Sequence, residues 1–435
     1  MLVARVGCLE STFVSLLVLF VSSSCFLSSI ASSATQSKVL GLRWHLDTSS
    51  FFLIVLVGLN LWSCLLRIRA LNPVAEGGLS SLLMGLAAVR VAFFLQSSWL
   101  KFYIYFELSL IPIFLILLGW GYQIERVRAA KAIILYTVRA SLPLLLLFIA
   151  FSRVGGDAIY QASRWVKSSF FLRAAYILAG LAFLVKLPIM FFHIWLPKAH
   201  VEAPVIGSIF LAAVLLKLGG FGLIKTKPFF ELFRVWGAIC YSVSLWAVVA
   251  VRALCCQTTD IKVLIAFSSV SHMAVVVITL LTLRNTRSSA MVLILIAHGI
   301  SSSIAFFFRF LFYKTSHTRN ILLTKGALVR RGRALVLWGV CCIGVMGAPP
   351  TFNLWVEIRA YTRVVILAPV TTKFLFWGAL LTGAYSFILA SAPISANTQF
   401  MFTNKSLTKK IDIAHLVFSR GLIVGFVIVR ARVFV

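Results

Sequence analysis

The chain has 435 residues, 61% of them hydrophobic and only 12% charged, with a mean hydropathy of +1.02. Soluble domains carry about 25% charged residues, so this composition excludes a soluble enzyme and leaves a polytopic membrane protein built from spans of about 20 apolar residues. The net charge of +30 sits mostly in connections between apolar runs, among them Arg126, Arg128 and Lys131, Lys225 and Lys227, Lys314 to Arg333, and Lys405 to Lys410; that placement fits positive-inside topology and anionic lipid such as cardiolipin, not nucleic acid.

In chain order, apolar runs occupy 11–33, 50–68, 79–97, 99–119, 130–151, 170–194, 205–224, 235–255, 261–283, 289–313, 334–357, 364–391 and 413–433. They predict an all-α fold of about 13 spans. The first run follows Arg5 and is read as a retained helix, not a cleaved signal. The longest polar connections, 34–49, 67–78, 152–169 and 314–333, are too short for a separate soluble domain. No glycine-rich loop ends in Gly-Lys-Ser/Thr, so no ATP site is expected. The cysteines lie mostly in apolar runs without a C-x-x-C pair, and neither a metal nor a cluster is expected.

Ionisable residues inside these runs are the informative ones. A charge at bilayer depth costs about 2.5–3.5 kcal/mol on insertion scales, so each marks a functional position. Glu107 lies in WLKFYIYFELSLIPIFLILLGW, near the middle of its run. Lys186 ends the apolar stretch from Tyr176 and opens KLPIMFFHIWLPKAHVEAP, with Pro188, Pro197 and Pro204 around it. Lys217 lies midway along the next run, before Gly219-Gly220, which are read as helix packing. His272 and His298 each sit beside serines in apolar helices, and His titrates near neutrality. Glu357 follows the Pro349-Pro350 break. Proline removes an intrahelical hydrogen bond and leaves a carbonyl for water or a side chain. Broken helices of this kind, paired in two halves of a chain, point to an ion site at the breaks.

Burial disfavours the charged form of a lysine or a carboxylate, and a nearby opposite charge favours it. A Glu–Lys pair is therefore a switch: closed, the lysine keeps its proton; opened, it can release it. Arginine could not serve, because it stays protonated.

The blocks FELSLIPIFLILLGWGYQIERVRAAKAIILYTVRASLPLLLL, KLPIMFFHIWLPKAHVEAPVIGSIFLAAVLLKLGGFG, TTDIKVLIAFSSVSHMAVVV, AHGISSSIAFFF and APPTFNLWVEI resemble, in this order, the chain 4 subunits of NADH:ubiquinone oxidoreductase, respiratory complex I. The likeness covers roughly 100–360, and the second block is highly specific; the flanking parts match only in hydropathy. The resemblance implies about fourteen helices with two inverted five-helix repeats and a broken helix in each. It implies N-terminal helices over 1–98, repeats over 99–224 and 225–391, and a C-terminal helix over 392–435. It also implies roles in proton translocation. Glu107 matches the family's entry glutamate and pairs with Lys186 on the broken helix. Lys217, His272 and His298 continue a polar axis, and Glu357 is its far acidic end. Pro188, Pro349 and Pro350 mark the helix breaks.

The resemblance places no flavin, iron–sulfur cluster, quinone or metal in this chain. It makes the other membrane-arm subunits its partners. The expected location is the mitochondrial inner membrane, with a bacterial plasma membrane as the alternative. Arg90, Arg139 and Arg309 depart from the pattern, falling in or near runs where the family is usually neutral. Two other readings are a cation/proton antiporter subunit, which would transport in isolation, and a membrane scaffold, which would tolerate neutralised Lys186 or Glu107.

Overall fold

The computed structural model describes residues 38–39, 45–71, 76–121, 125–153, 177, 180–232, 234–282, 289–316, 318–324, 332–349 and 351–393. The expected spans 11–33 and 413–433, the start of 170–194, Pro350 and the basic stretch 405–410 lie outside the described residues.

Two-residue strands β1 (Lys38–Val39) and β2 (His45–Leu46) pair antiparallel. Helices follow in order: α1 Thr48–Leu71, α2 Glu76–Leu95, α3 Trp99–Leu108, α4 Leu110–Trp120, α5 Arg126–Arg153, α6 at 180–186, and α7 Trp195–Glu202. Helix α8, Val205–Phe210, runs through a π-helical turn, Leu211–Leu215, into α9, Leu216–Leu232. Then come α10 Arg234–Gln257, α11 Ile261–Thr282, α12 Ser289–Ser316, α13 Gly332–Met346, α14 Phe352–Leu367 and α15 Thr372–Ser391. Among the described residues nine helical segments are long and apolar enough to cross a membrane.

Three apolar runs are divided in the structure, two of them beside the prolines that mark helix breaks. The run 99–119 is interrupted at Ser109, between α3 and α4. Pro112 lies one turn into α4 and has no N–H for the carbonyl of Leu108. The run 170–194 stays helical only to Lys186, because a residue preceding proline avoids the helical region and Leu187 precedes Pro188. The runs 334–357 and 364–391 become three helices, α13, α14 and α15. Gly347 accounts for the end of α13: it adopts φ +70°, a left-handed conformation that glycine takes without strain. Thr351 then N-caps α14 from an extended conformation.

The chain divides into two compact units. One comprises the described residues up to Lys186 together with Glu202–Phe233. Its centre is a cluster of phenylalanines: Phe93 of α2 lies 4.3 Å from Phe102 of α3, and Phe106 lies 5.4 Å edge-on from Phe183 of α6. In lipid, helices associate through close packing rather than water exclusion, and such ring pairs provide it. Phe183 leaves no room for a β-carbon at Gly222 of α9. Asp47, at the start of α1, pairs with Lys225 of α9 and hydrogen-bonds through its backbone N–H to Ser50 Oγ at 2.9 Å, closing the first turn.

The other unit comprises Leu187–Val201 and the described residues from Arg234 on. There α10 packs along α11 and α15, and α12 along α11 and α14. The α10–α11 connection is tied to the segment after α12, with Ile321 donating from its backbone N–H to Thr259 O at 2.8 Å. Lys262 Nζ donates to Val201 O at 2.8 Å, fixing the end of α7.

Candidate functional site

In the first unit, the end of α6 delivers Lys186 into a fully buried position. Its Nζ donates to the carbonyl of Phe106 at 2.9 Å and lies over the Phe106 ring. Phe106 O sits in the last turn of α3, where it also accepts from Ser109 Oγ at 2.8 Å. Glu107, the next residue, places Oε1 4.0 Å from Nζ. That separation is an ion pair and too long for a hydrogen bond. The carboxylate is partly open, with its side chain 20% exposed, while the lysine side chain is 1% exposed. Arg90 of α2 adds a second cation within electrostatic reach of Lys186. It is buried, with Nη1 3.5 Å from Phe210 O.

Lys217, also fully buried, sits two residues past the π-helical segment and donates to Ala212 O at 2.6 Å. A π turn shifts the backbone pairing from i−4 to i−5 and disturbs the regular ladder, and such turns concentrate at functional sites. Here the residue that bonds the π turn is itself the expected relay lysine.

The second unit holds the other cluster. His272 of α11 lies with Nδ1 3.1 Å from Glu357 Oε1 on α14, and its ring centroid is 5.6 Å from that of His298 on α12. Both histidines are buried. Glu357 reaches this point because α14 starts afresh after the break; a β-carbon at Gly347 would lie 3.4 Å from Glu357 Oε2. Asn353, one turn before Glu357, donates to Gly344 O at 2.7 Å and to Ser301 Oγ at 3.2 Å, linking α14 to α13 and α12. Arg252 of α10 is fully buried beside Tyr361 and within electrostatic reach of Glu357 and Tyr385.

The structure thus brings Glu107 to Lys186, and His272 to His298 and Glu357. Pro188 and Pro349 lie in the two helix breaks. Arg90 and Arg309 are buried, whereas Arg139 is exposed on the outside of α5.

Arg252, Lys262, Asn353 and the π turn are absent from the sequence reading. Arg252 was within reach of it, being a charge inside the run 235–255 like Lys186 in its own. Asn353 precedes Glu357 by four residues and so shares its helix face. The π turn has no residue signature in LAAVL.

A model of the family described as NADH:quinone oxidoreductase/Mrp antiporter, transmembrane, matches residues 96–382. NADH-ubiquinone oxidoreductase chain 4 of Lumbricus terrestris is 35% identical over 350 residues, 78% of this chain and 77% of that protein. The chain of the same name from Ceratitis capitata is 36% identical over 351 residues, 79% of this chain and 77% of that one. In fold the chain matches a chain of respiratory complex I from Thermus thermophilus with bound NADH, with a TM-score of 0.82 at 18% identity, over 96% of this chain and 90% of that one. It also matches a chain of an archaeal respiratory complex, the membrane-bound sulfane sulfur reductase, with a TM-score of 0.79 at 14% identity, over 97% and 90%. At those identities the two structures speak for the fold alone.

Proposed function

The chain belongs to the NADH:quinone oxidoreductase/Mrp antiporter family of transmembrane proteins, and from that premise we propose that it is a proton-translocating membrane-arm subunit of respiratory complex I, resident in the mitochondrial inner membrane. Electron transfer from NADH to ubiquinone takes place in partner subunits, which hold the flavin, the iron–sulfur clusters and the quinone. This chain carries protons. Anionic lipid such as cardiolipin covers its basic connections. Its two antiporter-like repeats, 99–224 and 225–391, each contribute one broken helix.

The observation that carries this reading is the buried Lys186, held at the end of a proline-broken helix between a carbonyl and the Glu107 carboxylate. With Glu107 near, the ammonium is favoured. Displacing Glu107 removes the stabilising charge, and the proton leaves toward Lys217. His272, His298 and Glu357 continue the relay, with Glu357 against His272 and the two histidine rings 5.6 Å apart. In the second cluster the 3.1 Å contact lets His272 and Glu357 exchange a proton directly. The switch works because Glu107 is partly open while Lys186 is sealed. The carboxylate can move; the lysine can only change its protonation.

The test is purification of the chain from its native membrane in mild detergent, followed by reconstitution into vesicles. The reading predicts that it arrives with NADH-oxidising subunits and that vesicles acidify only while NADH is oxidised. A chain that exchanges cations for protons alone, without redox partners, is an antiporter subunit and the proposal fails.

A further inference from the structure

The outer face of α5 carries a feature that proton translocation does not use. This helix is 28 residues long, from Arg126 to Arg153. Its buried side, including Ala130, Ile133, Thr137, Leu144 and Phe148, packs toward α3 and α4. On the opposite side Leu135, Arg139, Leu142 and Leu146 are exposed. Their spacing of four, three and four residues sets them on one straight stripe, the pattern of a helix that packs against another helix. Arg139 is 13 residues from Arg126 and 14 from Arg153, so it lies about 20 Å along the axis from either end at 1.5 Å per residue. That is bilayer mid-depth, beyond the reach of a side chain that snorkels to the headgroups.

A mid-depth guanidinium needs a polar or charged partner, and the acidic residues among the described part of the chain are placed elsewhere. Of its 11 acidic residues only Glu107 and Glu357 lie inside apolar runs. Glu107 is paired with Lys186 and Glu357 with His272. The others, from Glu10 to Asp412, lie outside the runs. Among the described residues no carboxylate lies in ion-pair contact with Arg139.

We propose that the Leu135–Arg139–Leu142–Leu146 stripe is a subunit interface, and that Arg139 pairs there with a carboxylate on a transmembrane helix of a partner subunit. The proposal rests on the chain's membership of a multi-subunit membrane complex. Arginine suits the role because its planar fork binds a carboxylate through two parallel hydrogen bonds and never loses its charge. The flanking leucines exclude lipid from the pair.

The decisive observation is a structure of the intact complex from native membranes at side-chain resolution. The expected result is a carboxylate of another chain within about 4 Å of the Arg139 guanidinium. Arg139 among acyl chains, on a lipid phosphate, or on a carboxylate of its own chain overturns the proposal. A second arm compares Arg139→Leu with Arg139→Lys by native electrophoresis of the assembled complex. Arg139→Leu is expected to lower the yield of assembled complex by about tenfold, because it strands the partner's charge in lipid, and Arg139→Lys to restore most of it. An unchanged or higher yield for Arg139→Leu contradicts the interface, since removing an unpaired charge from lipid favours insertion. The failures are separable. A chain that purifies without partners sinks the functional reading as well, whereas a complete complex with Arg139 facing lipid sinks only the interface.

Discussion

At Lys186 one ammonium faces a carbonyl, an aromatic ring and a carboxylate in a position closed to water. Of the three only the carboxylate carries a full charge and is partly exposed, so the proposed relay makes Glu107 the group that decides whether the proton stays. Glu107→Gln keeps the shape and removes the charge. It is expected to lower protons translocated per NADH by about a hundredfold, the lower end for removing a positioned acid–base group, with the complex still assembled. Proton-to-electron ratios in sealed vesicles check this, and an unchanged ratio removes the pair from the mechanism. At the other cluster, His272→Asn breaks the 3.1 Å contact with Glu357 and is expected to impair translocation with normal NADH oxidation by an artificial acceptor. The Glu107–Lys186 pair was readable from sequence because charges inside apolar runs stand out; the contact of Glu357 with His272 was not, because the two residues lie 85 positions apart on separate helices. Asn353 and Arg252 were not singled out: the first is neutral, and the second lay in a run with no break to draw attention to it.

Element by element, hydropathy located where helices lie and misplaced where they stop. The runs 170–194 and 334–357 are mostly apolar on both sides of their breaks, and hydropathy does not distinguish helix from turn within an apolar stretch. The stops come from Pro188 and from Gly347, whose φ of +70° no sequence pattern announced. Gly347→Ala is expected to cost about 1–2 kcal/mol, the penalty for a β-carbon in a left-handed conformation. It should also displace Glu357, whose Oε2 lies 3.4 Å from where that carbon would sit. A thermal shift of the complex, with reduced translocation, is the readout. Gly222→Ala tests the packing of the first unit. Its new β-carbon meets the Phe183 ring, and overpacking of this kind costs about 1–3 kcal/mol. Adding Phe183→Leu should recover part of the loss in melting temperature. No recovery would place the strain elsewhere.

For the whole molecule, +30 on 435 residues is explained only with its surroundings present. Neutral replacements at Arg330, Arg331 and Arg333 are expected to lower cardiolipin retention, measured by lipid mass spectrometry, and to leave proton translocation unchanged once lipid is restored. Lost translocation in a lipid-replete complex would show that these residues serve the relay. The membrane class and the order of blocks were readable from composition and motif. The relation of the chain to its partners was not, because a sequence shows its own unpaired charges and never the carboxylates that meet them. In the proposed cycle the Lys186 side chain itself releases and regains a proton. Lys186→Arg tests this, since arginine keeps the charge and the reach and cannot give up the proton. Measured as protons translocated per NADH oxidised in sealed vesicles of fully assembled complex, the ratio should fall as far in Lys186→Arg as in Lys186→Met. A normal ratio in the arginine variant would contradict the claim.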